Sequence, residues 1–83
     1  MTATELLAIL VGTGTRARDA ASIAGSLLDV GGGTLRGLAR RPMGGLATVP
    51  GVGRAKAARL AAAFELARRL AAETREPDGG GVR

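Results

Sequence analysis

Apolar residues recur at helical spacing in five stretches of this chain, separated by glycine-rich turns and by Pro42. Thr2-Ala3-Thr4-Glu5 reads as a helix start, with Thr2 as N-cap and Glu5 completing a capping box three residues on. Leu6, Leu7, Ile9, Leu10 and Val11 follow, so the first helix is short, nearly all apolar and expected to be buried. Gly12-Thr13-Gly14-Thr15 ends it. A second helix is predicted from about Arg18 to Val30, with Ile23, Leu27 and Val30 on one face and Ala20, Ala24 and Leu28 flanking them. Gly25 in its middle costs about 1 kcal/mol relative to Ala and reads as a point of close helix approach.

Gly31-Gly32-Gly33 terminates the second helix and reads as a hinge rather than a phosphate cradle. Thr34 then caps a short third helix, Leu35 to about Arg41, in which Leu38 is expected to pack with Leu35. Pro42 stops that helix, and Met43 to Val49 forms a fourth, weakened at its start by Gly44 and Gly45. A fifth, alanine-rich helix is predicted from Arg54 to about Glu73. Ala57, Leu60, Phe64, Ala67 and Ala71 mark its buried side, widened by Ala63 and Leu70, with Arg54, Glu65, Arg68 and Arg69 opposite. Thr74 to Arg83 carries Pro77 and Gly79-Gly80-Gly81 and no apolar face, so residues 74–83 are expected to be a disordered tail or the remnant of an interdomain linker. The expected fold is all-α, five short helices in one domain over residues 1–73.

Composition narrows the chemistry. With 83 residues and a single aromatic, Phe64, the core must be built from Ala, Leu, Ile and Val. The chain has no Cys and no His, which removes disulfides, the usual metal ligands and the usual general base. No catalytic residue, cofactor site or metal site is expected, and the protein is not expected to be an enzyme. No stretch reaches the length of a membrane span and no signal peptide follows Met1, so a cytoplasmic protein without a membrane partner is expected.

The formal charge is +5. Arg36, Arg40, Arg41, Arg54, Lys56 and Arg59 lie in a span from Asp29 to Glu65 with no acidic residue inside it. A solvated basic face is the plain reading; a surface that meets polyphosphate is the sharper one.

That charge surrounds a tight turn. Pro50 presets a turn dihedral, and Gly51 and Gly53 permit positive φ, so the chain can reverse between the fourth and fifth helices within about four residues. Backbone N–H groups of the turn and of the fifth helix's first turn then point outward beside Arg54 and Lys56, which suits an anion. The first turn, Gly12-Thr13-Gly14-Thr15-Arg16, looks like a twin of Gly51-Val52-Gly53-Arg54-Ala55. Both follow a short apolar helix and precede a longer one. Candidate DNA-contacting residues are therefore Gly51, Val52, Gly53, Arg54, Lys56 and Arg59, with Gly12, Thr13, Gly14, Thr15 and Arg16 from the first turn. Val52 packs against a sugar or anchors the turn inward. Phosphate contacts carry no base information, so the expected binding is non-specific, salt-sensitive, and about micromolar or weaker, with a slope of log K on log salt near −3 for roughly three phosphates. A third glycine and a preceding strand are missing for a dinucleotide site, and no Gly-Lys-Ser/Thr ending exists for a P-loop.

The run Glu5-Leu6-Leu7-Ala8-Ile9-Leu10-Val11-Gly12-Thr13-Gly14-Thr15 resembles the amino-terminal domain of the bacterial RadC family. The likeness continues through Ser26 to Ala39 and Val49 to Arg69, covering roughly residues 3 to 72. The two alike turns give a tandem helix-hairpin-helix pattern, nucleoid-associated if it binds DNA; the resemblance implies a helix-hairpin-helix domain tied to DNA repair and normally followed by a JAB/MPN-type metalloprotease-like domain. Two departures stand out. Family members usually carry a lead-in segment before the first helix, whereas here Met1 nearly begins it. The JAB zinc ligands cannot be present in a chain without His, so the family's metal-dependent activity does not carry over, and a truncated reading frame or a stand-alone module is expected. The partners implied are double-stranded DNA, a JAB/MPN-type domain or another copy. The competing reading is a protein-interaction or scaffolding module without direct DNA binding, to be favoured if Leu66 and Leu70 stay exposed once the helices pack.

Overall fold

The computed structural model describes residues 1–12 and 15–75, which form an all-α fold of five helices. These are α1 (Ala3–Val11), α2 (Ala17–Val30), α3 (Leu35–Ala39), α4 (Met43–Ala47) and α5 (Gly53–Arg75). α5 takes in Thr74 and Arg75 from the expected tail; residues 76–83 lie outside the described residues.

The helix starts follow from short side chains that accept backbone protons. The Thr2 hydroxyl accepts from the Glu5 N–H at 3.1 Å, and the Glu5 carboxylate accepts from the Thr2 N–H at 2.6 Å. That second bond holds the Glu5 carboxyl below its usual pKa, so the capping box is complete above the ordinary carboxylate range and is lost as acid protonates Glu5. Thr34 caps α3 in the same way, accepting from the Gly37 N–H at 3.0 Å. At the other end of α2 the glycine triplet forms a fixed cap rather than a hinge. The Gly33 N–H donates to the Leu28 carbonyl at 2.7 Å and the Gly32 N–H to the Asp29 carbonyl at 3.0 Å, with φ of 74° at Gly32. This is the paired bonding of a Schellman cap, which requires a left-handed residue where Gly32 stands. Arg41 adds to it, its Nε donating to the Val30 carbonyl at 3.1 Å.

One core joins the elements: Leu7 and Val11 of α1, Ala24 and Leu27 of α2, Leu38, Leu46, the turn residues Val49 and Val52, and Ala57 and Leu60 of α5. Several expectations about burial are corrected. α1 is not buried all round, because a helix at the edge of so small a domain has neighbours on one side only; Leu6 and Ile9 face solvent. Leu35 is likewise at the surface, and only Leu38 of α3 enters the core. The apolar side of α5 is covered through Leu60 and half-covered at Phe64, but Ala67, Leu70 and Ala71 are exposed. Length explains this: α5 runs about 34 Å, whereas α1 and α4, which pack on it, run about 13 and 7 Å.

Gly25 is no site of close approach. A Cβ placed there would meet no atom within 4 Å, and its φ lies outside the left-handed region. Gly25→Ala is therefore expected to stabilise the domain by about 0.5–1 kcal/mol by removing backbone freedom from the unfolded chain. A thermal melt should show a midpoint several degrees higher; an unchanged or lower midpoint would contradict this.

Candidate nucleic-acid interface

The second turn is built as its sequence requires. The Val52 N–H donates to the Val49 carbonyl at 3.0 Å, closing a four-residue turn with Pro50 and Gly51 at its centre. Gly51 has φ of 88° and Gly53 of 65°, both in the left-handed region. Pro followed by a left-handed glycine is the pattern of a type II turn. Gly51 is doubly constrained, since a Cβ there would also come within 2.7 Å of Ile23 Cδ1 on α2. Space is open around Gly53, so a β-branched residue there would suffer backbone strain alone, about 1–2 kcal/mol.

Val52 resolves to the inward-anchoring option. Its side chain is 4% exposed and its N–H is committed to Val49, so neither is available to a phosphate. The N–H groups of Gly51, Gly53, Arg54 and Ala55 find no backbone acceptor among the described residues. Those of Gly53, Arg54 and Ala55 lie in the exposed first turn of α5, where the helix dipole adds partial positive charge. The Arg54 side chain lies exposed beside them, with no ion-pair partner among the described residues.

Lys56 and Arg59 have different positions from Arg54. Lys56 is half-buried, and its Nζ donates to Thr15 Oγ1 at 2.7 Å and to the Gly51 carbonyl at 3.4 Å. Arg59 donates from Nη1 to the Leu10 carbonyl at 3.1 Å, near the C-terminal end of α1. Lys56 therefore ties α5 to the first turn, and Arg59 ties it to the end of α1. Lys56 touches Thr15 and the Gly51 carbonyl at once, which brings the residue before the start of α2 beside the turn that opens α5.

The two turns differ at their first glycine. Gly12 is the C-cap of α1 with φ of −84°, whereas its counterpart Gly51 is left-handed. Gly12 serves for space instead, since a Cβ there would lie 2.6 Å from the Ala8 carbonyl oxygen. The Thr15 N–H donates to the Gly12 carbonyl at 2.9 Å, and Arg16, exposed, is the N-cap residue of α2 without a side-chain capping bond. Thr13 and Gly14, candidates from the sequence, lie outside the described residues.

The acid-free span also divides. Arg41 sits at Val30, the far end of α2, while Lys56 sits at Thr15, just before its start. The length of α2 puts about 21 Å between those ends. Arg41 thus belongs to a second basic region and not to the edge that carries the turns.

The model of the family described as UPF0758 N-terminal matches residues 1–58. The chain belongs to the UPF0758 family. This is the RadC-like family that the Glu5 to Thr15 run resembles. UPF0758 protein XCV4028 of Xanthomonas euvesicatoria pv. vesicatoria is 54% identical over 65 residues, which are 78% of this chain and 28% of that protein. A UPF0758 protein of Xylella fastidiosa strain Temecula1 is 49% identical over 65 residues, 78% of this chain and 29% of that protein. The chain thus spans under a third of the curated relatives it matches. No solved structure matches it. Among the described residues no helix is long and apolar enough to cross a membrane. In this UPF0758 chain, the bond between Lys56 and Thr15 spans 41 residues and is the feature that sequence reasoning missed. Both residues were legible as polar groups near glycine turns, but nothing in their spacing signals that one pairs with the other.

Proposed function

We propose that this UPF0758 chain is a DNA-binding module of the tandem helix-hairpin-helix type, holding duplex phosphates without sequence preference and performing no catalysis of its own. Its setting is the bacterial cytoplasm, at the nucleoid, in DNA repair. The observation that carries the reading is the Lys56 bridge, which brings the residue before the start of α2 beside the turn that opens α5. There the free amides of Gly53, Arg54 and Ala55 and the exposed cations Arg54 and Arg16 supply donors and charge for anionic oxygens. Lys56 and Arg59 act in this reading as supports for the contacting groups. Leu66 and Leu70 stay exposed, the outcome that favours the interaction reading; it supports a contact face on the distal half of α5, away from the turns, beside the DNA-binding edge rather than in place of it.

The test follows from that division. Binding of a labelled duplex is measured by fluorescence anisotropy across a salt series, for the wild type and for Arg54→Glu combined with Arg16→Glu. Lys56 is left in place, because reversing it would break the bridge and confound the result. The wild type is expected to show a slope of log K on log salt of about −3, and the double variant about −1, with at least tenfold weaker binding at low salt. Equal affinity of the two proteins would overturn the reading.

A further inference from the structure

The second half of α5 carries an amphipathic pattern that the described fold half-covers at Ala63 and leaves exposed from Leu66 onward. At about 100° per residue, Ala63, Leu66, Ala67, Leu70, Ala71 and Thr74 fall within a sector of about 140°. Leu66 is 69% exposed and Leu70 is 65% exposed. The charges of these turns lie off that sector, where Glu65 binds Arg68 Nε at 3.2 Å and Arg69 Nε at 3.1 Å and offsets one of the two cations. Arg59 stands at the N-terminal end of the stripe and Glu73 at the edge of its C-terminal end.

We propose that this stripe is the contact face for a second copy of the chain, in a two-fold pair of antiparallel α5 helices. Charge complementarity selects both partner and direction. In an antiparallel pair, Leu66 and Leu70 of one copy meet the same two residues of the other, and each Arg59, whose Nη1 stays on the Leu10 carbonyl of its own chain, brings its remaining guanidinium donors to the level of the opposite Glu73, within about one helical turn. A parallel pair would instead place Arg59 beside Arg59 and Glu73 beside Glu73. The alanines at 63, 67 and 71 let the two backbones approach closely. The stripe alone offers on the order of 400 Å² per copy, about half of what each partner gives a standard interface, so association is reversible and concentration-dependent rather than obligate. The two glycine turns stay outside the contact, and the pair would present two such edges to any ligand they bind.

Sedimentation equilibrium of the whole chain tests this directly. The wild type is expected to shift from monomer toward dimer as concentration rises from about 10 µM to 1 mM, a range suited to an interface below standard size. Leu66→Glu with Leu70→Glu should remain monomeric throughout, with unchanged circular dichroism because both positions are exposed. Glu73→Arg should weaken dimerisation at least threefold at low salt and less at high salt. Because the chain has no cysteine, Ala67→Cys provides a direct check on direction: oxidation should join two copies through the centre of the antiparallel pair. A monomer at 1 mM, or a dimer indifferent to the leucine substitutions, would overturn the proposal. Neither outcome depends on whether the turns bind DNA.

Discussion

Gly37→Ala is expected to cost about 3 kcal/mol or more and to lower the melting temperature by more than about 10 °C. The reason is the crossing of α3 over the end of α2, where backbone meets backbone. A Cβ at Gly37 would collide with the Gly31 carbonyl oxygen and lie 2.9 Å from its carbon. The reverse holds across the same contact, where a Cβ on Gly31 would overlap the Leu38 backbone, with Cα at 2.6 Å. No rotamer change relieves either clash. The crossing must open, and with it the site where Leu38, fully buried, enters the core. Gly44→Ala is the matched control, since a Cβ there meets nothing within 4 Å. It should leave the midpoint unchanged or raise it. A Gly37→Ala midpoint within 4 °C of wild type would show that α3 can shift away at little cost.

Those two substitutions also show where the sequence stops being informative. Chain-local features were legible: the capping box at Thr2 and Glu5, the Thr34 cap, the stop at Pro42 and the turn at Pro50-Gly51 each depend on residues within a few positions of one another. Glycine by itself is ambiguous. The same residue type supplies a left-handed cap at Gly32, a close backbone contact at Gly37 and free space at Gly25, and only the position of the neighbouring helix separates them. The candidate site divides likewise. That the turns bear glycines and cations could be read directly, but which cations are free could not. Lys56 and Arg59 find their acceptors 41 and 49 residues away, on a turn and a helix end that no local pattern connects to α5. Alanine adds a further ambiguity, because it is compatible with burial and exposure alike. A periodic alanine stripe therefore marks a face without revealing how far along the helix that face is covered.

Leu60→Ala and Leu66→Ala settle how far along α5 that cover extends. Leu60 is 0% exposed and lies in the same cluster as Leu7, Val11 and Ala57, within reach of the short helices that pack on α5. Its truncation leaves a cavity lined by side chains that cannot all follow, at a cost of about 2–5 kcal/mol. A domain of this size has a total stability near the low end of about 5–15 kcal/mol, so Leu60→Ala is expected to be largely unfolded or cold-labile at neutral pH. Leu66, the same residue type less than two turns further on, should change stability by less than about 0.5 kcal/mol at low micromolar concentration. Urea denaturation followed by circular dichroism measures both. The difference does not arise from hydrophobicity or helix propensity, which are identical for the two leucines. It arises because the first four helices are too short to cover the fifth, so that the distal half of α5 is exposed. Comparable losses at Leu60 and Leu66 in dilute solution would mean that the distal half is buried within the monomer, and the antiparallel pairing would then lose its surface.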